Sequence, residues 1–143
     1  MKCTVIIDPT AEEEILIRAH ERSALVSEIE ALASNQATDL IGYNDTEIAV
    51  LKPADVCCIF VEKGKVYAQT VSKKWQLKQR LYVLESLTDA EFIKINQSCL
   101  INVRHIKRFH TSVGGALTVT LQNGFRDYVS RRQLKSVKER LEL

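Results

Sequence analysis

The apolar positions of the chain follow two rhythms. Over residues 23–33 the spacing is helical, with Leu25, Ile29 and Leu32 on one stripe and Glu28 and Glu30 off it. Ser34-Asn35 ends that stretch. The period returns over 77–87, where Leu77, Leu81, Leu84 and Leu87 share a face, and over about 131–141, with Leu134, Val137 and Leu141 inward and Ser130 as the cap. Between these helices the pattern is that of strands. Segments 40–43 and 47–51 flank the turn pair Asn44-Asp45, and 56–62 and 65–71 flank Lys63-Gly64, a hairpin connection. Shorter β segments follow at 92–95, 106–109, 117–121 and 126–129, broken by Gly114-Gly115 and Asn123-Gly124. At the start, 2–7 is β-branched and stops at Asp8-Pro9. Thr10 and Glu13 fit a capping box, but Ile15-Leu16-Ile17 reads as strand, so the pattern favours a second strand over 14–19 in a hairpin with the first. Trp75, Tyr82, Phe92 and Tyr128 sit amid apolar spacing and are predicted to be core. The sum is mainly β with short helices, without the strand–helix–strand alternation of a nucleotide-binding sheet.

Composition narrows the class. With 143 residues, 45% hydrophobic and 27% charged, the chain is globular and long enough for a core of its own. Its longest uninterrupted apolar run, 56–61, falls far short of the ~20 residues of a membrane span. No leader pattern opens it, so a cytoplasmic protein that is not membrane-inserted is expected. Cys3, Cys57, Cys58 and Cys99 form no CxxC pair and no zinc-ligand spacing with His20, His105 or His110. Adjacent Cys57 and Cys58 are expected on opposite faces of a strand, as buried reduced thiols, with redox sensing by Cys99 the minor alternative. Phosphate-binding loops, dinucleotide fingerprints and HExxH are absent. Glu12-Glu13-Glu14 reads as a solvated acidic face. No enzyme, cofactor or metal is expected.

Charge changes the picture most. The formal net charge of +2 hides a net −7 over residues 1–50, with 3 basic and 10 acidic side chains, and a net +9 over the remainder, with 17 and 8. From Phe92 onward 10 basic residues face 3 acidic ones. Such a half points to a polyanion. Base preference needs side chains that match base edges, arginine to guanine and amides to adenine. Two segments supply them: Lys94-Ile95-Asn96-Gln97-Ser98, and Ser130-Arg131-Arg132-Gln133 at the opening of a helix, where phosphate is also favoured. The plain alternative is that Asn96 and Gln97 cap a turn and that Arg131 and Arg132 are solvated. Aromatic residues make up only 6%, with no stacking cluster of the kind used on single-stranded RNA, so duplex DNA is the better polyanion.

These segments carry a resemblance. FIKINQSCLINVRHIKRF followed by GGALTVTLQNGFRDYVSRRQLK resembles the DNA-binding domain of LytTR-type bacterial regulators, with DVCCIFVEKGKVYAQT similar to its paired strands and LKQRLYVLESL to its helix. It covers roughly 38–142, leaving 1–37 as an acidic strand/helix extension before a LytTR-like domain at 38–143. The resemblance implies elongated, stacked antiparallel sheets whose loops, rather than a recognition helix, enter successive major grooves of bent DNA. It implies base contacts by Lys65, Asn96, Gln97 and Arg132, and backbone contacts by Lys63, Lys94, Ser98, Arg104, Ser130 and Arg131. Asn96 departs from the family's usual His. Residues 1–37 are too short for a receiver, which implies a small stand-alone regulator, dimeric on repeated half-sites and governed by a protein partner, sometimes a membrane protein. The extension is open to four readings: docking that partner, dimerising, shielding the basic face or covering a sheet edge. A module that sequesters another regulator is the alternative function.

Overall fold

Strands dominate the chain beyond residue 39, where β-branched and aromatic runs fit a half-buried pleated surface. The computed structural model describes residues 2–33 and 39–143, in two units, Met1–Gln36 and Ala37–Leu143. The predicted helix stop at Ser34-Asn35 and the predicted boundary after residue 37 lie outside the described residues.

In the first unit the helix forms and the hairpin does not. Helix α1 spans Ala24–Ala33, and the Ser23 hydroxyl accepts the Val26 N–H at 3.3 Å. Val26 and Ile29 turn toward Ile15 and Ile17 along a shallow groove, whereas Leu25 and Leu32 face solvent. The buried stripe is thus displaced from the predicted one. Residues 2–22 contain a turn at 9–10 and no strand; Val5, Ile6, Ile7, Ile15 and Leu16 are exposed. Two strands without a third or a covering helix are marginal in water. Nor does a capping box form, because Asp8 Oδ1 takes both the Thr10 N–H and the Thr10 hydroxyl.

The second unit is built from β1 (Leu40–Tyr43), β2 (Ile48–Leu51), β3 (Val56–Glu62), β4 (Lys65–Thr70), β5 (Lys74–Leu77), α2 (Leu81–Leu87), β6 (Phe92–Asn96), β7 (Cys99–Asn102), β8 (Ile106–Thr111), β9 (Leu117–Leu121), β10 (Arg126–Val129) and α3 (Arg131–Leu141). Seven strands form one antiparallel sheet in the order β2-β1-β5-β4-β3-β7-β6, and three form another, β10-β9-β8. In the large sheet β3, β7 and β6 are buried on both sides, whereas β1 and β2 leave Ile41, Ile48 and Val50 exposed. One face packs Val56, Ile59, Trp75, Phe92 and Leu100 with Leu81 and Leu84 of α2. The other packs Ile93, Ile95, Cys99 and Ile101 against Leu117, Val119 and Leu121 of the small sheet and Val137 of α3.

Four local expectations change here. Leu77 belongs to β5, opposite Val66, and the helix begins only at Leu81. β7, which the pattern does not announce, lies between β3 and β6 with all four residues buried; a strand covered on both faces shows no alternation. Cys57 and Cys58 occupy the same core, because the β3–β4 register shifts between Val56 and Cys58 and the bulge cancels the alternation. Trp75 and Phe92 are core, but Tyr82 and Tyr128 are exposed.

Candidate nucleic-acid interface

Three connections carry most of the nominated residues, and the hydrogen bonding of the domain draws them to one edge. The first is the β3–β4 hairpin, closed by the pair Glu62–Lys65. Lys63 (φ 51°) and Gly64 (φ 76°) both adopt the left-handed conformation that a tight two-residue hairpin requires. Lys63 and Lys65 are exposed. The second is the β6–β7 turn, fastened to the end of β3 by the Val61 N–H donating to the Ser98 carbonyl at 2.8 Å. The third is the β10–α3 junction, where the Ser130 N–H donates to the Ile95 carbonyl, also at 2.8 Å.

Asn96 joins the second connection to the third. Its Nδ2 donates to the Tyr128 carbonyl at 2.9 Å and its Oδ1 accepts the Ser98 N–H at 2.9 Å. The residue is 2% exposed. A buried amide with both ends engaged has no free edge for a base, so the expected base-reading role gives way to the turn-capping one. Gln97 and Ser98, next in the turn, are exposed. Arg131 and Arg132 open α3 and are also exposed, with no acidic residue in the first turn to offset them or the helix dipole. Ser130 occupies the N-cap position, but its hydroxyl makes no capping bond; its backbone does the anchoring.

Two nominated cations lie elsewhere. Lys94 is half-buried and points at α2, where Nζ lies 3.6 Å from Glu85 Oε2. Arg104 is exposed in the 3₁₀ turn Val103–His105, at the end of β7 remote from Ser98. That turn is secured by Asn102, wholly buried, whose Oδ1 accepts the Arg104 N–H while Nδ2 donates to the Pro53 and Val56 carbonyls. Asn102 lies four residue steps along the strand from Ser98, about 13 Å, so Arg104 does not join the loop cluster.

Among the described residues, Lys63, Lys65, Arg104, Arg131 and Arg132 make no ion pair. Nor does any group of three or more His, Cys, Asp or Glu there suit a metal. Burial raises the pKa of Cys57, Cys58 and Cys99, and for the last two Asp127 adds to the shift, so the thiolate needed for redox sensing is disfavoured at Cys99. His105 is structural, its Nε2 lying 2.7 Å from the Ala54 carbonyl. No helix among the described residues is long and apolar enough to cross a membrane.

A mainly β domain with two antiparallel sheets, presenting basic and amide side chains from three tethered loops, defines the class of protein. Residues 46–142 match the LytTr DNA-binding domain family, and the chain belongs to it. Proteins of Staphylococcus aureus strains NCTC 8325 / PS 47 and COL, each named an uncharacterized HTH-type transcriptional regulator, are 38% identical over 104 residues, covering 73% of this chain and 71% of theirs. The fold is similar to a solved LytTr DNA-binding domain from Bacillus cereus, with TM-score 0.71 and 19% identity, over 76% of this chain and all of that one. Despite the relatives' names, α2 and α3 are separated by the five strands β6–β10, not by a turn.

Proposed function

We propose that this chain is a transcription regulator that binds duplex DNA sequence-specifically, as a homodimer on repeated half-sites, by inserting loops into the major groove. It acts by binding, not catalysis. One observation carries the reading: the convergence of the β3–β4 hairpin, held by the Val61–Ser98 backbone bond, with the β6–β7 turn and the α3 N-terminus, which Asn96 and Ser130 lock together. Family membership and the relatives' names support it. Lys65, Gln97 and Arg132 are the base-reading side chains; Lys63, Ser98 and Arg131 bind the phosphates beside them, while Asn96 holds the turn.

Selection of bound duplexes from a random pool, followed by anisotropy titration over a salt series, tests this. A conserved half-site and a steep fall of log K with log salt are expected. Arg132→Ala should cost about 1–3 kcal/mol on the selected duplex and little on a scrambled one. A flat salt plot, or equal affinity for both duplexes, refutes the proposal. A second reading, a module that sequesters another regulator, rests on the exposed Val5–Ile7 and Ile15-Leu16 segments. It requires a stable protein complex from a chain with no affinity for DNA.

A further inference from the structure

The small sheet has a built face that none of the three loops uses. Its inner side packs Phe109, Leu117, Val119, Leu121 and Val129 into the core. Its outer side displays two cross-strand rows, fixed by register: Arg108–Thr120–Arg126 and His110–Thr118–Tyr128. The arginines and His110 are exposed, and Tyr128 is 60% exposed. Among the described residues neither Arg108 nor Arg126 is in an ion pair. The one carboxylate in these strands, Asp127, alternates to the inner side, toward Cys99. The outer side therefore holds unpaired positive charge and hydroxyl donors with no acid to neutralise them.

The ends of this face join two places that otherwise stand apart. At one end the Tyr128 carbonyl is the acceptor for Asn96, and Ser130 leads into Arg131 and Arg132. At the other the Gln122 N–H donates to the His105 carbonyl at 2.8 Å, which sets the end of β9 beside the turn that carries Arg104. Arg104, the Arg108–Arg126 row, the His110–Tyr128 row and the helix opening thus follow one another along the domain. The two rows are two residues apart, about 7 Å, comparable to the axial rise of two nucleotides of one DNA strand at ~3.4 Å each.

We infer that the outer face of β8–β9–β10 is a second DNA surface, one that takes the phosphate backbone flanking the bases read by the loops and extends the footprint to Arg104. This rests on the DNA-binding reading above. A protein partner fits the face less well, because it offers no apolar anchor beyond the Tyr128 ring, whereas its charge complements a polyanion.

The test compares the full chain with Arg108→Ala/Arg126→Ala and Arg108→Lys/Arg126→Lys, after melting curves confirm that all three are folded. Binding to the selected half-site duplex, with and without flanking base pairs, and to scrambled DNA is followed across salt. The alanine pair should lower the log–log salt slope by ~2, at ~0.9 per phosphate. It should weaken selected and scrambled DNA by equal factors and erase the benefit of the flanks; the lysine pair should behave as the parent. An alanine pair with an unchanged slope and an unchanged dependence on flanks overturns the inference and leaves the loop reading intact. So does a change of oligomeric state without a change of slope, which assigns the face to a second copy. A parent chain that binds no duplex overturns both.

Discussion

Position 96 holds an amide whose two ends are used by the protein itself, and position 97 one that is free. Asn96→Ala removes the donor to the Tyr128 carbonyl and the acceptor for the Ser98 N–H. Groups left unsatisfied in this way cost about 1–3 kcal/mol, so the urea midpoint should fall accordingly. Gln97→Ala lies on the surface and should leave stability within about 0.5 kcal/mol while altering the bases recovered by selection; the opposite pattern would exchange the two roles. From the sequence alone the pair looks alike. Nothing along the chain tells that the Tyr128 carbonyl, thirty-two residues on, will lie opposite one amide and not the other. The thiols divide as sharply: Cys3 is exposed and the other three are buried. A disulfide-exchange reagent should consume about one thiol rapidly in the native protein and all four in denaturant. Burial first, then Cys57 and Asp127 for Cys58, and Cys58 and Asp127 for Cys99, raise the folded-state pKa. The unfolded chain releases these protons from about pH 8.5 upward, whereas the folded chain keeps them. This contribution to stability is therefore complete below that pH and is lost as pH rises toward the folded values. Valine at Cys58 and Cys99 should flatten the alkaline decline of the denaturation midpoint; an identical decline would refute the linkage.

Elements were legible where turn residues or a capping residue mark their ends. The β3–β4 hairpin around Lys63-Gly64 and the last helix with Leu134, Val137 and Leu141 inward stand where the pattern puts them. Two stretches were not: β7, covered on both faces and without turn residues that set it off, reads as an unpatterned apolar run, and Leu77 continues a leucine spacing that belongs to the next helix although it pairs with Val66. The loop positions were therefore readable, but not the strands that bring them together. In the hairpin, backbone conformation and function are coupled. A Cβ at Gly64 meets nothing within 4 Å, so Gly64→Val is opposed only by its φ of 76°. A left-handed conformation costs a residue with Cβ about 1–2 kcal/mol. The tip that carries Lys63 and Lys65 should relax instead of the fold unravelling. The expected outcome is a melting temperature lowered by no more than several degrees, with a clear loss of affinity for the selected duplex. Unchanged affinity would remove the hairpin from the interface.

At the scale of the whole molecule the two units differ most in charge. Residues 1–36 carry 3 basic and 7 acidic side chains, net −4, and residues 37–143 carry 17 and 11, net +6. Among the described residues both apolar cores are assembled from positions 40–141, so a chain beginning at 37 keeps them and should fold. The DNA-binding unit would then lose a tethered acidic segment whose field reaches about 30 Å at 10 mM salt but only ~8 Å at physiological salt. If the extension competes with DNA electrostatically, the shortened chain should bind scrambled duplex several-fold more tightly at low salt, and the two titration curves should converge as salt rises. Full-length protein with Glu12, Glu13 and Glu14 replaced by glutamine should fall between them, since all three are exposed and their loss changes charge alone. Anisotropy titrations of the three proteins at a series of salt concentrations distinguish this from a role in docking a partner. Equal affinities throughout would show that the negative segment exerts no force on DNA binding.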